Sequence, residues 1–300
     1  MKIPLVSVVI PVYNTPKLLE ITLKSVINQT VTDVEILVID DGSTVDIEFV
    51  INRINDNRIK YYKLEHTNAN VARNYGIRKS VGRYIAMLDS DDLWCNNHLQ
   101  ECFELLQDNA DGLYGSLILK KEDISQGKTF FVRALKQKET MVDYLLQNGY
   151  GAQTSTFFMT ADSMKDILWD PKLKRHQDYD FVIRYSKKYK LIPKLNPTVI
   201  YTIKKNITKI DFSSCICFIQ RNKHNITPMN YLRYYVNMLI LAKQYSENKH
   251  IITYYKNEAS RYKELLSYAE YIAIVSPQNI YQKVKAKLSY LFSILFVTIG

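Results

Sequence analysis

Short apolar runs alternate with helically spaced apolar positions along the first third of the chain. Val6-Ser7-Val8-Val9-Ile10, closed by Pro11, reads as a strand buried on both faces. Asn14-Thr15-Pro16 supplies a cap and a proline for a first helical turn, and Leu18, Leu19, Thr22, Leu23 and Val26 follow at helical spacing. Val34 to Ile39 predicts a second strand, ended by the turn Asp40-Asp41-Gly42-Ser43. A helix around Asp46 to Ile54, a short strand Ile59 to Leu64 and a helix from about Ala69 to Ser80 come next. Tyr84 to Leu88 is a further buried strand, and it runs straight into Asp89-Ser90-Asp91-Asp92. Such alternation with short links predicts an α/β fold, a doubly wound and mostly parallel sheet sandwiched by helices.

The pattern then loosens. Asn97 to Leu106 predicts a helix, Leu113 to Leu119 a strand, Gly127 to Gly149 a loop followed by a helix, and Gly151 to Met159 a strand rich in small polar residues. Beyond residue 208 only helical stripes recur. Thr227-Pro228 opens one carrying Leu232, Tyr235, Val236, Leu239 and Lys243; Tyr255, Ala259, Tyr262, Leu266, Ala269 and Ala273 mark a second, stopped by Pro277. These two read as a helical hairpin packed against the preceding domain. The expected organisation is one α/β domain over 1–208 and a smaller helical region over 209–300.

Composition adds limits. A chain of 300 residues that is 47% apolar has a full core available and a length prior of two domains. Cys95, Cys102, Cys215 and Cys217 show neither C-x-x-C pairing nor zinc spacing, so they read as reduced thiols in a cytoplasmic protein. Met1-Lys2-Ile3-Pro4 leads directly into a strand, which reads as the absence of an export signal. Of the net charge of +10, most lies after residue 205, with twelve Lys and Arg against five Asp and Glu. Without an RNP1 pattern or paired zinc ligands, nucleic acid is set aside as the partner of that charge. Lys283, Lys285 and Lys287 precede an uncharged segment from Leu288 to Gly300, too short to span a bilayer. Residues 280–300 therefore suit either peripheral contact with an anionic membrane or packing on protein, including a second subunit.

The three carboxylates after the Tyr84–Leu88 strand carry the chemistry. Ligands of such sheets gather beyond the carboxyl ends of the strands. Crowded carboxylates are stabilised by a cation, and hard oxygen donors suit Mg²⁺ or Mn²⁺, which also bridge phosphate oxygens. The rival reading is a solvated acidic cap on the next helix. Pro11-Val12-Tyr13-Asn14 stands where a G-x-G-x-x-G turn would be needed, and G-x-x-x-x-G-K-[ST] is missing, so hydride transfer and P-loop hydrolysis are excluded. Acidic residues at the ends of two strands match a nucleotide diphosphate held through a metal.

Four segments now stand in order: Val8-Val9-Ile10-Pro11-Val12-Tyr13-Asn14, Ile39-Asp40-Asp41-Gly42-Ser43-Thr44, Ala72-Arg73-Asn74-Tyr75-Gly76-Ile77 and Leu88-Asp89-Ser90-Asp91-Asp92. Together they resemble the signature series of family 2 glycosyltransferases, inverting enzymes of the GT-A fold. The resemblance covers residues 4–95 and continues more weakly to about 208. It implies that Pro11 and Tyr13 meet the nucleotide, with Tyr13 stacked on the base and Asp41, with Asp40, hydrogen-bonded to it. Arg73 would face the diphosphate. Asp89 and Asp91 would contact the nucleotide sugar, and Asp91 and Asp92 the metal, Mn²⁺ or Mg²⁺. His176-Gln177-Asp178-Tyr179-Asp180-Phe181 resembles a segment in which relatives carry Glu-Asp, whose second acid is the general base; that role maps to Asp178, and Gln177 departs from the pattern. Thr202 and Lys204 likewise replace an arginine and a histidine, leaving Lys204 or Lys205 to meet the diphosphate.

The expected activity is transfer of a sugar from a nucleotide diphosphate donor, UDP favoured, to a hydroxyl of a glycan, lipid-linked in surface polysaccharide synthesis. A sugar-nucleotide pyrophosphorylase would need a glycine-rich loop after the first strand. A degenerate member serving as a nucleotide- or glycan-binding scaffold is the alternative, favoured by Gln177, Thr202 and Lys204. The transferase reading expects Asp41, Asp91 and Asp178 around one hollow.

Overall fold

A computed structural model describes residues 3–106, 110–121, 127–147, 151–203, 210–246 and 248–265. The chain divides into two compact units, Met1–Ile207 with Ser213–Asn222, and Thr208–Phe212 with Lys223–Gly300.

In chain order the first unit forms β1 (Val6–Val12), α1 (Pro16–Ile27), β2 (Val34–Asp40), α2 (Glu48–Ile54), β3 (Ile59–Lys63), α3 (Ala69–Lys79), β4 (Tyr84–Met87), β5 (Leu93–Trp94) and α4 (His98–Leu106). It continues with β6 (Gly112–Gly115), β7 (Leu117–Lys121), β8 (Lys128–Phe130), α5 (Met141–Leu146), β9 (Phe158–Thr160), α6 (Ala161–Asp166), α7 (Gln177–Ser186), β10 (Leu191–Lys194) and β11 (Val199–Ile203). Helix α8 (Phe212–Asn222) follows.

Seven strands make one sheet in the order β10-β6-β9-β4-β1-β2-β3, and all neighbours are parallel except β9, which runs against both β4 and β6. Strand β1 lies inside the sheet between β4 and β2 and is buried throughout, so both its faces need cover. Val8 and Ile10 pack with Leu19 and Leu23 of α1 on one face. On the other, Gly76 of α3 comes so close to Val9 that an added Cβ would stand 2.4 Å from its Cγ1. Helices on both faces are the doubly wound arrangement the sequence predicts.

The run Leu113–Leu119 is not one strand. Ser116 breaks it: its N–H donates to the Lys194 carbonyl at 2.9 Å while its Oγ accepts from the Val132 N–H at 3.0 Å. The chain thus leaves the large sheet after β6 and enters a second sheet, β5-β11-β7-β8. The Gly151–Met159 stretch is likewise a 3-10 turn at Thr154–Thr156 followed by the short β9.

In the second unit, α9 (Pro228–Tyr245) and α10 (Lys249–Ser260) form the helical hairpin, with Tyr235 of α9 against Tyr254 and Tyr255 of α10 at ring separations of 6.3 and 6.2 Å. Leu232, Tyr235, Val236 and Leu239 are buried as their spacing predicts. The second helix is shorter than its spacing predicts: α10 ends at Ser260, and a turn leads into a 3-10 turn at Lys263–Leu265. The rest of the stripe to Pro277 and the basic segment at 280–300 lie outside the described residues. Among the described residues no helix is long and apolar enough to cross a membrane, and the four cysteines are free thiols.

Candidate active site

Strands β1, β2 and β4 run parallel and side by side, so the segments that leave their carboxyl ends turn into the same place. There they line a cleft of about 940 Å³ with the turn before α3, the loop before α7 and β11. Pro11, Tyr13, Asp41, Arg73, Asp89 and Asp91 all line it. Asp40, Asp92 and Asp178 do not.

Asp41 is anchored by its own N–H, which donates to the Val12 carbonyl at 2.9 Å and so ties the end of β2 to the end of β1. Its carboxylate accepts from the Thr67 N–H at 2.9 Å and lies 3.0 Å from Nδ1 of His66. The His66 ring, held there, stacks on Tyr13 with centroids 4.2 Å apart and planes 15° from parallel. Glycine is required at position 42: φ is +73°, and a Cβ would meet the His66 backbone nitrogen at 2.5 Å. One residue earlier, Asp40 is fully buried, and its carboxylate accepts from the Ser43 N–H at 2.7 Å and from the Tyr61 hydroxyl at 2.7 Å. Burial, and then the Asp40 charge, push the Tyr61 hydroxyl above its usual pKa. Asp40 therefore shapes the turn that presents Asp41.

Arg73 lies in the second turn of α3 and is 6% exposed. Nη2 donates to Asp89 at 2.7 Å, and Nη1 to Asn70 and to Gln177, each at 3.0 Å. Its Nε is buried with no acceptor. Helix α3 is started by Asn68, whose side chain accepts from the N–H groups of Asn70 and Val71 at extended backbone angles of −174° and 164°.

Asp92 is 1% exposed, and its carboxylate accepts from Ser155 Oγ at 2.6 Å, Gln153 Nε2 at 3.0 Å and the Thr202 N–H at 3.3 Å. Burial, reinforced by the Asp89 and Asp91 charges, raises its pKa. It braces the Asp89–Asp91 loop from behind, since Ser155 Oγ also accepts from the Asp89 N–H at 3.0 Å. Thr202 serves that brace through its backbone. Lys204 and Lys205 lie outside the described residues.

Asp178 begins α7 and lines a separate hollow of about 200 Å³ with Leu117, Leu119, Phe130, Gly151, Gln153 and Tyr179. Asp41, Asp91 and Asp178 thus surround two hollows where the sequence predicts one, and Tyr201 of β11 is a wall of both. Burial raises the Asp178 carboxyl to about 6, the Arg73 charge opposing and the Asp89 charge adding to the rise. Burial and then the charges of Asp92, Asp91, Asp89 and Asp178 push the Tyr201 hydroxyl up to about 12.

Among the described residues no group of three or more His, Cys, Asp or Glu side chains is arranged to hold a metal. Of the three carboxylates that line the cleft, Asp41 is engaged by Thr67 and His66, which leaves the hard oxygen donors of Asp89 and Asp91 on the loop after β4. That set fits a small divalent ion, which takes one or two carboxylates and completes its shell with water and phosphate oxygens.

His66, Lys174 and Arg175 also line the cleft and were not singled out from the sequence. The turn between β3 and α3 must pass the end of β2, which is the signal that leads to His66. No pattern marks the other two, because the Lys174–Arg175 loop reaches the cleft only through tertiary packing.

The profile of Glycosyl transferase family 2 matches residues 7–168, just over half of the chain. The chain belongs to glycosyl transferase family 2. An uncharacterized glycosyltransferase of Haemophilus influenzae is 34% identical over 196 residues, covering 63% of this chain and 75% of that protein. The UDP-Glc:alpha-D-GlcNAc-diphosphoundecaprenol beta-1,3-glucosyltransferase WfgD of Escherichia coli is 35% identical over 152 residues, covering 50% of this chain and 58% of its own. An uncharacterized glycosyltransferase of Rickettsia bellii is 45% identical over 105 residues, 35% of this chain, and that match spans only 15% of its length. Among solved structures, Staphylococcus aureus TarS 1-349 in complex with UDP-GlcNAc has a TM-score of 0.54 at 17% identity, covering 91% of this chain and 76% of that one. The mannosyltransferase PcManGT of Pyrobaculum calidifontis, in complex with GDP-Man and Mn2+, has a TM-score of 0.55 at 12% identity and covers 97% of this chain and 81% of its own. At these identities the structures establish a shared fold, a glycosyltransferase α/β architecture, and nothing finer.

Proposed function

We propose that this family 2 member is an inverting glycosyltransferase that moves a sugar from a nucleotide diphosphate, UDP favoured, to a hydroxyl of a lipid-linked glycan in surface polysaccharide synthesis. The observation that carries the reading is the convergence on one cleft of Tyr13, Asp41, Asp89 and Asp91 from three strand ends and of Arg73 from α3. In it the base stacks against the Tyr13–His66 pair and bonds to Asp41, and the diphosphate lies toward Arg73 and Asp91. Asp91, with Asp89, would hold a Mn²⁺ or Mg²⁺ ion, whose charge stabilises the departing diphosphate. The TarS and PcManGT complexes, with UDP-GlcNAc in one and GDP-Man with Mn2+ in the other, support a donor of this class. WfgD, whose name carries a diphosphoundecaprenol acceptor, supports a lipid-linked one. Work on such an acceptor would bring the chain to the inner face of the cell membrane as a peripheral protein.

Asp178 takes the proton of the acceptor hydroxyl as its oxygen bonds to the anomeric carbon and the bond to the diphosphate breaks, which inverts that carbon in one displacement. A carboxylate in that role contributes about 10²–10⁴-fold. Tyr201, the wall common to both hollows, marks where donor and acceptor would meet.

Release of nucleoside diphosphate from a panel of sugar nucleotides tests the reading. Release that needs Mn²⁺ or Mg²⁺ and is lost in Asp91→Ala is the expected result. Binding of sugar nucleotide without any release, to acceptor or to water, would favour the scaffold alternative.

A further inference from the structure

The charges of the cleft do not balance for the donor just proposed. Three carboxylates line it, Asp41, Asp89 and Asp91. Arg73, the cation expected to meet the diphosphate, already has Nη2 on Asp89 and Nη1 on Asn70 and Gln177. A divalent ion on Asp89 and Asp91 together with Arg73 would offset the three carboxylates but not the diphosphate as well, which needs further positive charge. Lys174 and Arg175, on the loop that enters α7, line the same cleft, and among the described residues neither is paired with a carboxylate.

A second observation points to an anion. Two guanidinium N–H groups of cleft-lining residues, Nε of Arg73 and Nε of Arg175, are buried without an acceptor. A buried donor left unsatisfied is costly; of the side-chain donors in that state among the described residues, only these two belong to residues that line the cleft. Phosphoryl oxygens are acceptors of matching charge, and arginine binds them in preference to most other groups.

We propose that Lys174 and Arg175 form a cationic jaw that grips the diphosphate of the donor together with Arg73, with Arg175 as the principal contact. The inference rests on the nucleotide-sugar reading of the cleft and assigns it two binding residues. It also accounts for the departure at Thr202: positive charge is delivered by the α7 entry loop instead of by an arginine on β11.

Calorimetric titration of the full chain with UDP, GDP and dTDP and their monophosphates, in the presence of Mn²⁺, tests it. The wild type is expected to bind one diphosphate well above its monophosphate. Arg175→Ala should lose about 10- to 100-fold in affinity for the diphosphate, the value of one charge-assisted hydrogen bond, while binding the monophosphate almost unchanged. Lys174→Ala, at an exposed position, should lose less in the same direction, and Arg175→Lys should recover part of the loss. A merely structural role for Arg175 would weaken both ligands together. Undiminished preference for diphosphate in the Lys174→Ala/Arg175→Ala double variant overturns the jaw and leaves the donor site standing. A wild type that binds no nucleotide overturns the donor reading itself, and the jaw with it.

Discussion

Gln177 stands where relatives carry the first acid of a pair, and its amide oxygen accepts from Arg73 Nη1 at 3.0 Å. A glutamate there would set a further negative charge beside the Arg73–Asp89 pair and next to Asp178. The neutral amide keeps the contact and leaves Asp178 as the acid of that pair. Asp180, two positions beyond Asp178, is consumed by an ion pair with Arg184 at 2.8 Å. Replacing Asp178 by Asn should therefore lower kcat by about 10²–10⁴-fold and leave donor affinity intact, as steady-state kinetics beside calorimetry would show. The pH dependence has a definite sign. Burial places the Asp178 carboxyl at about 6, and only its ionised form accepts a proton, so kcat/KM should decline below about pH 6 and be flat above it. Gln177→Glu adds a like charge beside that carboxyl and should move the decline to higher pH. Tyr13, Asp41 and Asp91 were legible because each follows an apolar strand, where the fold forces it to the cleft. Asp40 and Asp92 carry the same chemistry one position away, and no sequence pattern reveals that their carboxylates are spent on Ser43 and Tyr61, or on Ser155 and Gln153.

Helix α3 shows how an element sets the site. Its start is fixed by Asn68. Asparagine is the residue other than glycine that best tolerates a left-handed backbone, yet the angles of −174° and 164° are extended, and the side chain caps two N–H groups instead. Asn68→Ala should accordingly cost about 1 kcal/mol of stability in urea denaturation, and Asn68→Gly only a few tenths. A left-handed residue would give the opposite order, with glycine stabilising. Elements whose pattern is periodic and locally closed, such as β1, α1, β2 and α3, were read within a residue or two. Leu113–Leu119 was not, because the hydrogen bonds of Ser116 to Lys194 and Val132 that split it come from residues distant in sequence. Residues 212–222 form α8, whose Phe212, Cys215, Phe218 and Ile219 are buried at helical spacing, a stripe not singled out from the sequence.

At the scale of the whole chain, the cleft is lined from Pro11 to Ile203, and every one of those residues belongs to the first unit. No short stretch of the unfolded chain brings Tyr13, Asp41, Arg73, Asp91 and Arg175 together, so a nucleotide diphosphate should bind the native state alone. A ligand of that kind at 100 times its Kd stabilises by about 2.7 kcal/mol. A thermal-shift screen of nucleoside diphosphates with Mn²⁺ should therefore single out the base that suits Tyr13, His66 and Asp41. Among the described residues the second unit contributes no lining residue, so a chain ending at Asn222 should give a shift of the same size with the same base, even if its own melting temperature is lower. Loss of the ligand-induced shift in that shorter chain, with the fold retained by circular dichroism, would mean that residues 223–300 complete the donor site. Retention of the shift would leave the α9–α10 hairpin and the basic segment beyond it to the acceptor, the membrane or a second subunit.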